Sequence, residues 1–229
     1  MTTAEHLRGR RALVTGGNRG IGLEVVRLLC DLGLDVFLGS RDLDGGAAAV
    51  ASLRRPAITP VRIDVADPAS VAEARDSLAP EGIDVLVNNA GIYPRGDLTR
   101  ELVAQAWQVN ALGSWRVTQA FLPQMRERRW GRVVNVSTEL ASNAHEQRGG
   151  VYPVTKVAMN AMTRALAEDL GGTGILVNAC SPGWCRTGMG GKSAPRSAAQ
   201  GAASVVWGVT LPDDGPTGGF FQDGEPLPW

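Results

Sequence analysis

The sequence predicts one α/β domain, a parallel sheet whose strands alternate with helices on both faces. Three observations predict it. Arg11-Ala-Leu-Val-Thr15 is a short apolar run that leads through a glycine-rich turn into an amphipathic helix and a second apolar run. All of this lies within roughly 30 residues. Further apolar runs alternate with helix-patterned stretches along the rest of the chain. Several of these runs end in small polar residues, Asn88-Asn89-Ala90-Gly91 and Ser137-Thr138 among them, at the strand ends where open α/β sheets bind ligands.

Composition narrows the possibilities. The chain has 229 residues, enough for one such domain and its core. Its 44% hydrophobic and 20% charged content is that of a soluble globular protein. A formal net charge of zero argues against a nucleic-acid or membrane-surface partner. No apolar run approaches the roughly 18 residues of a bilayer span, and the polar stretch Met1 to Arg11 has no signal-peptide core. Cys30, Cys180 and Cys185 lack metal-ligand spacing. They are expected as reduced thiols of a cytoplasmic protein, with Cys30 and Cys180 in the core. His6 and His145 are too scattered for a zinc site and are expected on the surface, so no metal centre is predicted.

Each element has its own signal. The first strand, Arg11 to Thr15, feeds Gly16-Gly-Asn-Arg-Gly20-Ile-Gly22 and a helix through Leu32, stopped by Gly33. The glycines let backbone N–H groups approach a pyrophosphate at the helix N-terminus. Their spacing is not G-x-G-x-x-G, and a glycine turn can be an ordinary tight connection; the strand–turn–helix–strand context favours a nucleotide. Leu34 to Gly39 is the second strand. An acidic residue at its end would bind a ribose hydroxyl, but the chain reads Ser40-Arg41. Arg41 and Arg19 could bracket a 2′-phosphate with their guanidinium forks, which favours NADP over NAD, the alternative being two solvated arginines.

Leu43 to Leu53 is helical, Thr59 to Ile63 is a strand closed by Asp64-Val65, and Asp67-Pro68 caps a helix to about Ala79. Ile83 to Val87 is a buried parallel strand. A long helix is expected from about Thr99 to Met125, with Asn110 in its middle marking a distortion, because Asn amides compete for backbone bonds. Arg126, Arg128 and Arg129 suit the macrodipole at that helix's end. Gly131 to Val136 is a strand, Glu139 to Gly150 a loop, and Val151 to about Leu170 a helix. Ile175 to Ala179 is the sixth strand. It is followed by a sharp turn at Ser181 to Thr187, a flexible-looking stretch around Lys192 to Arg196, a helix from Ser197 to Val209 and a seventh strand from Gly218 to Gln222.

Tyr152-Pro-Val-Thr-Lys156 carries the chemistry. On a helix the phenol and the amine project from one face, one turn apart. A nearby ammonium would pull the tyrosine pKa down, preparing it to pass a proton to or from an alcohol or carbonyl oxygen.

Taken in order and at these spacings, the motifs resemble those of the short-chain dehydrogenase/reductase family from about Gly9 to Trp229. They are Thr15-Gly-Gly-Asn-Arg-Gly-Ile-Gly22, Asp64-Val65, Asn88-Asn-Ala-Gly91, Asn110, Val134-Asn-Val-Ser137, Tyr152-x-x-x-Lys156 and Pro182-Gly183. Asn18-Arg19, Asn178 to Trp184 and the Gly218-Gly-Phe-Phe ending resemble the NADPH-dependent carbonyl reductase branch. The resemblance implies a Rossmann-type doubly wound fold, a single domain over 1–229 with a seven-stranded parallel sheet in the order 3-2-1-4-5-6-7 and a substrate loop at about 184–196. It implies NADPH/NADP+ held by Gly16, Asn18, Arg19, Gly20, Ile21, Arg41, Asp64, Val65, Asn89, Ala90, Gly91, Pro182, Gly183 and Thr187, with Tyr152 and Lys156.

By the same resemblance Tyr152 is the general acid, Lys156 its electrostatic partner and ribose contact, and Asn110 the holder of a water. The family's serine position falls on Thr138, with Ser137 beside it. The implied activity is reduction of a ketone or aldehyde, a small-molecule carbonyl. Oxidation of an alcohol, imine or alkene reduction, or a silent NADP-binding regulator are the alternatives. Only 13 residues separate Thr138 from Tyr152, without the long insertion of the monomeric branch members, so the two long helices are expected free to pair as a homodimer or homotetramer. Trp107 and Trp115 are expected in the core. The substrate loop is expected as an open cover, with Trp184, Cys185 and Met189 either lining the pocket or packed inward, and Tyr93 and Glu139 at its border.

Overall fold

The computed structural model describes residues 5–142 and 150–229; the surface expectation for His145 lies outside them. Strands β1 (Arg11–Thr15), β2 (Asp35–Ser40), β3 (Ile58–Arg62), β4 (Val85–Asn88), β5 (Gly131–Val136), β6 (Ile175–Cys180), β7 (Phe220–Gln222) and β8 (Glu225–Pro226) form one sheet. The order is β3-β2-β1-β4-β5-β6-β7-β8, parallel except for the last pair. The expectation of seven parallel strands is corrected by β8. Asp223 and Gly224 both have positive φ, 54° and 86°, the backbone of a tight hairpin turn that folds β8 back against β7.

The helices are α1 (Gly20–Asp31), α2 (Leu43–Leu53), α3 (Pro68–Leu78), α4 (Arg100–Ala106), α5 (Leu112–Arg128), α6 (Val151–Asp169) and α7 (Ala198–Val209). They divide the core in two. On one face of the sheet Val25, Val26 and Leu29 of α1 meet Val205 and Val209 of α7 over Val14, Leu38 and Val134. On the other, Val71 of α3, Phe121 of α5 and Leu166 of α6 pack over Leu13, Leu86 and Val177. The central strands are covered on both sides, so β5 and β6 are buried at every residue. Their continuous apolar runs follow from that double burial.

The helix expected over 99–125 is three segments. Thr99 caps α4 by accepting from Leu102 N–H at 3.3 Å, a π-helical turn spans Trp107–Ala111, and α5 follows. Asn110 lies in the π turn, as its poor fit to a regular helix predicts. Trp115 is not core. The inward positions of α5 are Gly113, Ser114, Val117, Thr118 and Phe121, which leaves Leu112 and Trp115 on the opposite face, each 37% exposed. Arg128 does more than oppose the α5 dipole: its Nε stands 3.2 Å from Asp84. No helix among the described residues is long and apolar enough to cross a membrane.

Candidate active site

The site assembles where the parallel strands end. Gly16 and Gly20 have φ of 63° and 57°, which glycine adopts without strain. A Cβ on Gly22 would meet both Gly16 O and Asn89 Nδ2 at 2.4 Å. The Asn89 amide is the reason the turn sits so close. Its Nδ2 donates to Thr15 O at 2.9 Å and Gly16 O at 3.0 Å, while Thr15 Oγ1 accepts from Asn89 and Ala90 N–H. The Asn89 side chain is therefore occupied in fastening the glycine turn to the end of β4.

Residue Arg19 precedes α1 with no side-chain cap, and the first turn of α1 holds no acidic residue. The helix N-terminus, with its partial positive charge, is thus open. Arg19 and Arg41 are exposed; neither is hydrogen-bonded or ion-paired among the described residues. Asp42 is committed as the cap of α2, accepting from Asp44 and Gly45 N–H at 3.2 Å each. The carboxylate nearest Arg41 in sequence is therefore withheld from a ribose, which suits the phosphate reading. Asn18 Nδ2 lies 3.8 Å from where a Cβ on Gly45 would stand, so the turn also faces α2. Asp64 accepts from Ala66 N–H at 2.9 Å, shaping the turn after β3, and Val65 packs against Gly113.

Lysine 156 is 3% exposed, and its Nζ donates to Val136 O at the end of β5, 2.7 Å away. A Cβ on Gly91 would stand 3.8 Å from that Nζ and 3.4 Å from Asn110 Oδ1, so Lys156, Gly91 and Asn110 meet in one place. Asn110 Oδ1 accepts from Ile92 N–H at 2.8 Å and its Nδ2 donates to Ile92 O at 2.9 Å. The same Nδ2 reaches Thr155 Oγ1, 3.1 Å away, which donates in turn to Tyr152 O. Thr155 thus ties the π turn to the tyrosine's own turn of α6. Sequence reading missed it, although a β-branched hydroxyl between the Tyr and the Lys was the available signal.

The tyrosine pKa does not behave as the sequence suggests. Burial pushes Tyr152 well above the usual phenol value, and Tyr93, whose ring centroid is 4.8 Å from that of Tyr152, adds to the rise. Burial also lowers Lys156 to about 8. The physical reason is that both groups are desolvated, and Lys156 directs its charge to a backbone carbonyl.

Ser137 and Thr138 separate cleanly. Ser137 is buried and donates to Asn160 Oδ1 at 2.7 Å. Thr138 is half-buried, and its Oγ1 accepts from Leu140 N–H at 3.3 Å and donates to no acceptor among the described residues.

The loop after β6 closes the site. Thr187 Cγ2 lies 3.4 Å from the position of a Cβ on Gly20, so the loop reaches the glycine turn. The expected open cover is instead a braced one. Cys185 pairs with Arg196 as a bridge, Arg186 Nη1 donates to Ala194 O and Pro195 O, and Trp184 Nε1 donates to Gly190 O. Cys185 is buried and packed inward beside Pro182, while Trp184 and Met189 stay exposed. Gly183, at φ 67°, makes the turn. Arg95 Nη2 donates to Met189 O at 2.5 Å, and its guanidinium lies 5.9 Å from the Tyr93 ring centroid.

Comparison with known proteins places the chain in a family. The short chain dehydrogenase family pattern matches residues 10–198. Carbonyl reductase (NADPH) 1 of Homo sapiens is 35% identical over 272 aligned positions, covering 95% of this chain and 98% of that protein. The alignment is longer than this chain, so the relative carries insertions. The mouse protein of the same name is 34% identical with the same coverage. Among solved structures, the NADPH-bound carbonyl reductase from chicken fatty liver superposes with a TM-score of 0.88 at 25% identity, covering 99% of this chain and 98% of that one. The carbonyl reductase Sniffer of D. melanogaster gives 0.87 at 26% identity, covering 97% and 100%.

Proposed function

This chain belongs to the short chain dehydrogenase family, and on that premise we propose that it reduces a ketone or aldehyde to an alcohol with NADPH. The supporting observation is the convergence at the end of β5: buried Lys156 held by Val136 O, one helical turn from Tyr152 and beside Asn110. The residues present fit the cofactor. The glycine turn has room only for backbone, the α1 N-terminus is open to negative charge, and Arg19 in the turn and Arg41 after β2 are without partners among the described residues. NADPH, when bound, supplies the hydride.

The protein's own part is proton and charge management. Burial keeps the Tyr152 phenol protonated at neutral pH, the form that donates to a developing alkoxide. Thr138 Oγ donates to the same oxygen, a preorganised dipole aimed at the charge that forms. Lys156 supplies a buried cation one helical turn from Tyr152, held by Val136 O, and Asn110 fixes the loop after β4 through Ile92. The whole chain acts as one domain, with 184–196 as the substrate loop. It is a cytoplasmic protein with reduced thiols that pairs through α5 and α6.

Turnover of NADPH against a panel of carbonyl compounds, with Tyr152→Phe alongside, tests this. Loss of the proton donor should lower kcat by about 10²- to 10⁴-fold with NADPH affinity retained. Unchanged turnover in the variant removes Tyr152 from the mechanism.

A further inference from the structure

The loop after β6 carries charges that hydride transfer does not use. Residues 184–196 contain Arg186, Lys192 and Arg196 and no carboxylate, in a chain of zero formal net charge. Arg196 is neutralised by Asp223, its Nη2 2.6 Å from Oδ1. Arg186 and Lys192 have no acidic partner among the described residues, nor has Arg95, which braces the loop through Met189 O. The acidic residues of the facing segments are Asp97 and Glu139, and neither forms an ion pair with any of the three.

Arg186 and Lys192 lie on the loop whose Thr187 reaches the glycine turn. With Thr187, Gly188 and Gly191 they line an open hollow of about 460 Å³. The loop runs from Thr187 at the glycine turn to Met189 at Arg95, and so toward the Tyr93–Tyr152 ring pair. An unbalanced positive patch on a neutral molecule draws anions to that mouth. The cofactor's phosphates already have the glycine turn, Arg19 and Arg41. We propose that the substrate is a carbonyl compound bearing an anionic group, a carboxylate in its simplest form, received by Lys192 with Arg186 while the carbonyl reaches Tyr152.

This rests on the reductase reading, and a matched pair of substrates separates the two. An arylglyoxylate and its methyl ester differ by one charge. Lys192→Gln should raise KM for the acid by about three- to tenfold, a range typical of a partly screened charge contact. KM for the ester and the affinity for NADPH should hold, and Lys192→Arg should restore the acid. Added salt should lower kcat/KM for the acid and leave the ester unchanged. Equal effects on acid and ester, or an effect on NADPH affinity alone, would overturn the anion site while leaving the reductase intact. Turnover of neither compound by the parent protein overturns both.

Discussion

Lys156 is a cation held in a dry place by one backbone carbonyl, with the Met159 sulfur 3.9 Å away. Its ammonium gives up hydration that a single carbonyl does not replace, which is why burial brings its pKa from 10.5 to about 8. The sign of the stability effect follows. Below pH 8 the lysine is protonated both folded and unfolded, and the burial penalty is fully present. Between about 8 and 10 the unfolded chain binds a proton that the folded one lacks, so this group's contribution becomes more favourable as pH rises. Above 10, unfolded Tyr152 ionises while the folded phenol does not, and the trend reverses. Lys156→Met should therefore flatten the stability profile between pH 8 and 10. It should also stabilise the cofactor-free protein at pH 7 on the order of 1–3 kcal/mol, a few degrees in Tm, while abolishing turnover. Thermal melts across that pH range decide it, and a Tm below the parent's at pH 7 contradicts it. Arg41 is the second residue with a separable prediction. It has no partner among the described residues, so Arg41→Ala should weaken NADPH by about tenfold, the size of one charge-assisted contact, and leave NADH unchanged. Comparable losses for the two cofactors in titrations would dispose of the phosphate contact.

Among the elements, the interrupted helix between Thr99 and Arg128 shows what sequence can and cannot specify. An asparagine in mid-helix announces a defect. That the defect is a π turn spanning Trp107–Ala111 depends on Ile92, eighteen residues away, whose N–H and C=O both need the Asn110 amide. Asn110→Ala would leave both groups, half-buried at the loop after β4, without this partner. The cost should be about 2–4 kcal/mol, on the order of 5–15 °C in Tm, and a melt unchanged within a degree or two would show that water replaces the amide. The strand–turn–helix elements were legible because their signals are local: Asp67 caps α3 as its sequence suggests, and Asp42 caps α2 in the same way. The loop at 184–196 misled because glycine and serine suggest openness. Its bracing instead comes from nonlocal bonds between Arg186 and the carbonyls of Ala194 and Pro195. The β8 hairpin was signalled by Asp223-Gly224 and overlooked because its strand has only two residues. In the site itself, Tyr152 and Lys156 could be read from their spacing, whereas the division of labour between Ser137 and Thr138 required Asn160, more than twenty residues downstream.

Across the whole molecule, two cores on opposite faces of the sheet account for most of the apolar side chains and leave one conspicuous remainder. α5 presents Leu112 and Trp115, and adjacent α6 presents Val154 at 50% and Val157 at 37% exposure. Each pair is three residues apart, so both lie on one face of their helix. Beside Val157 a hollow of about 110 Å³ is lined by Ala161, Asn160, Arg164 and the C-terminal Trp229. A contiguous apolar face of two packed helices is costly in water and self-complementary under a two-fold axis, which would close it into a four-helix interface. The expected outcome is a particle of twice or four times 24.1 kDa in light scattering coupled to size-exclusion chromatography. Trp115→Glu combined with Val157→Glu places four like charges in that interface and should yield a monomer with a lower Tm that still binds NADPH, since neither residue touches the cleft. A monomeric parent protein, or a double variant of unchanged mass, would mean that these side chains face solvent.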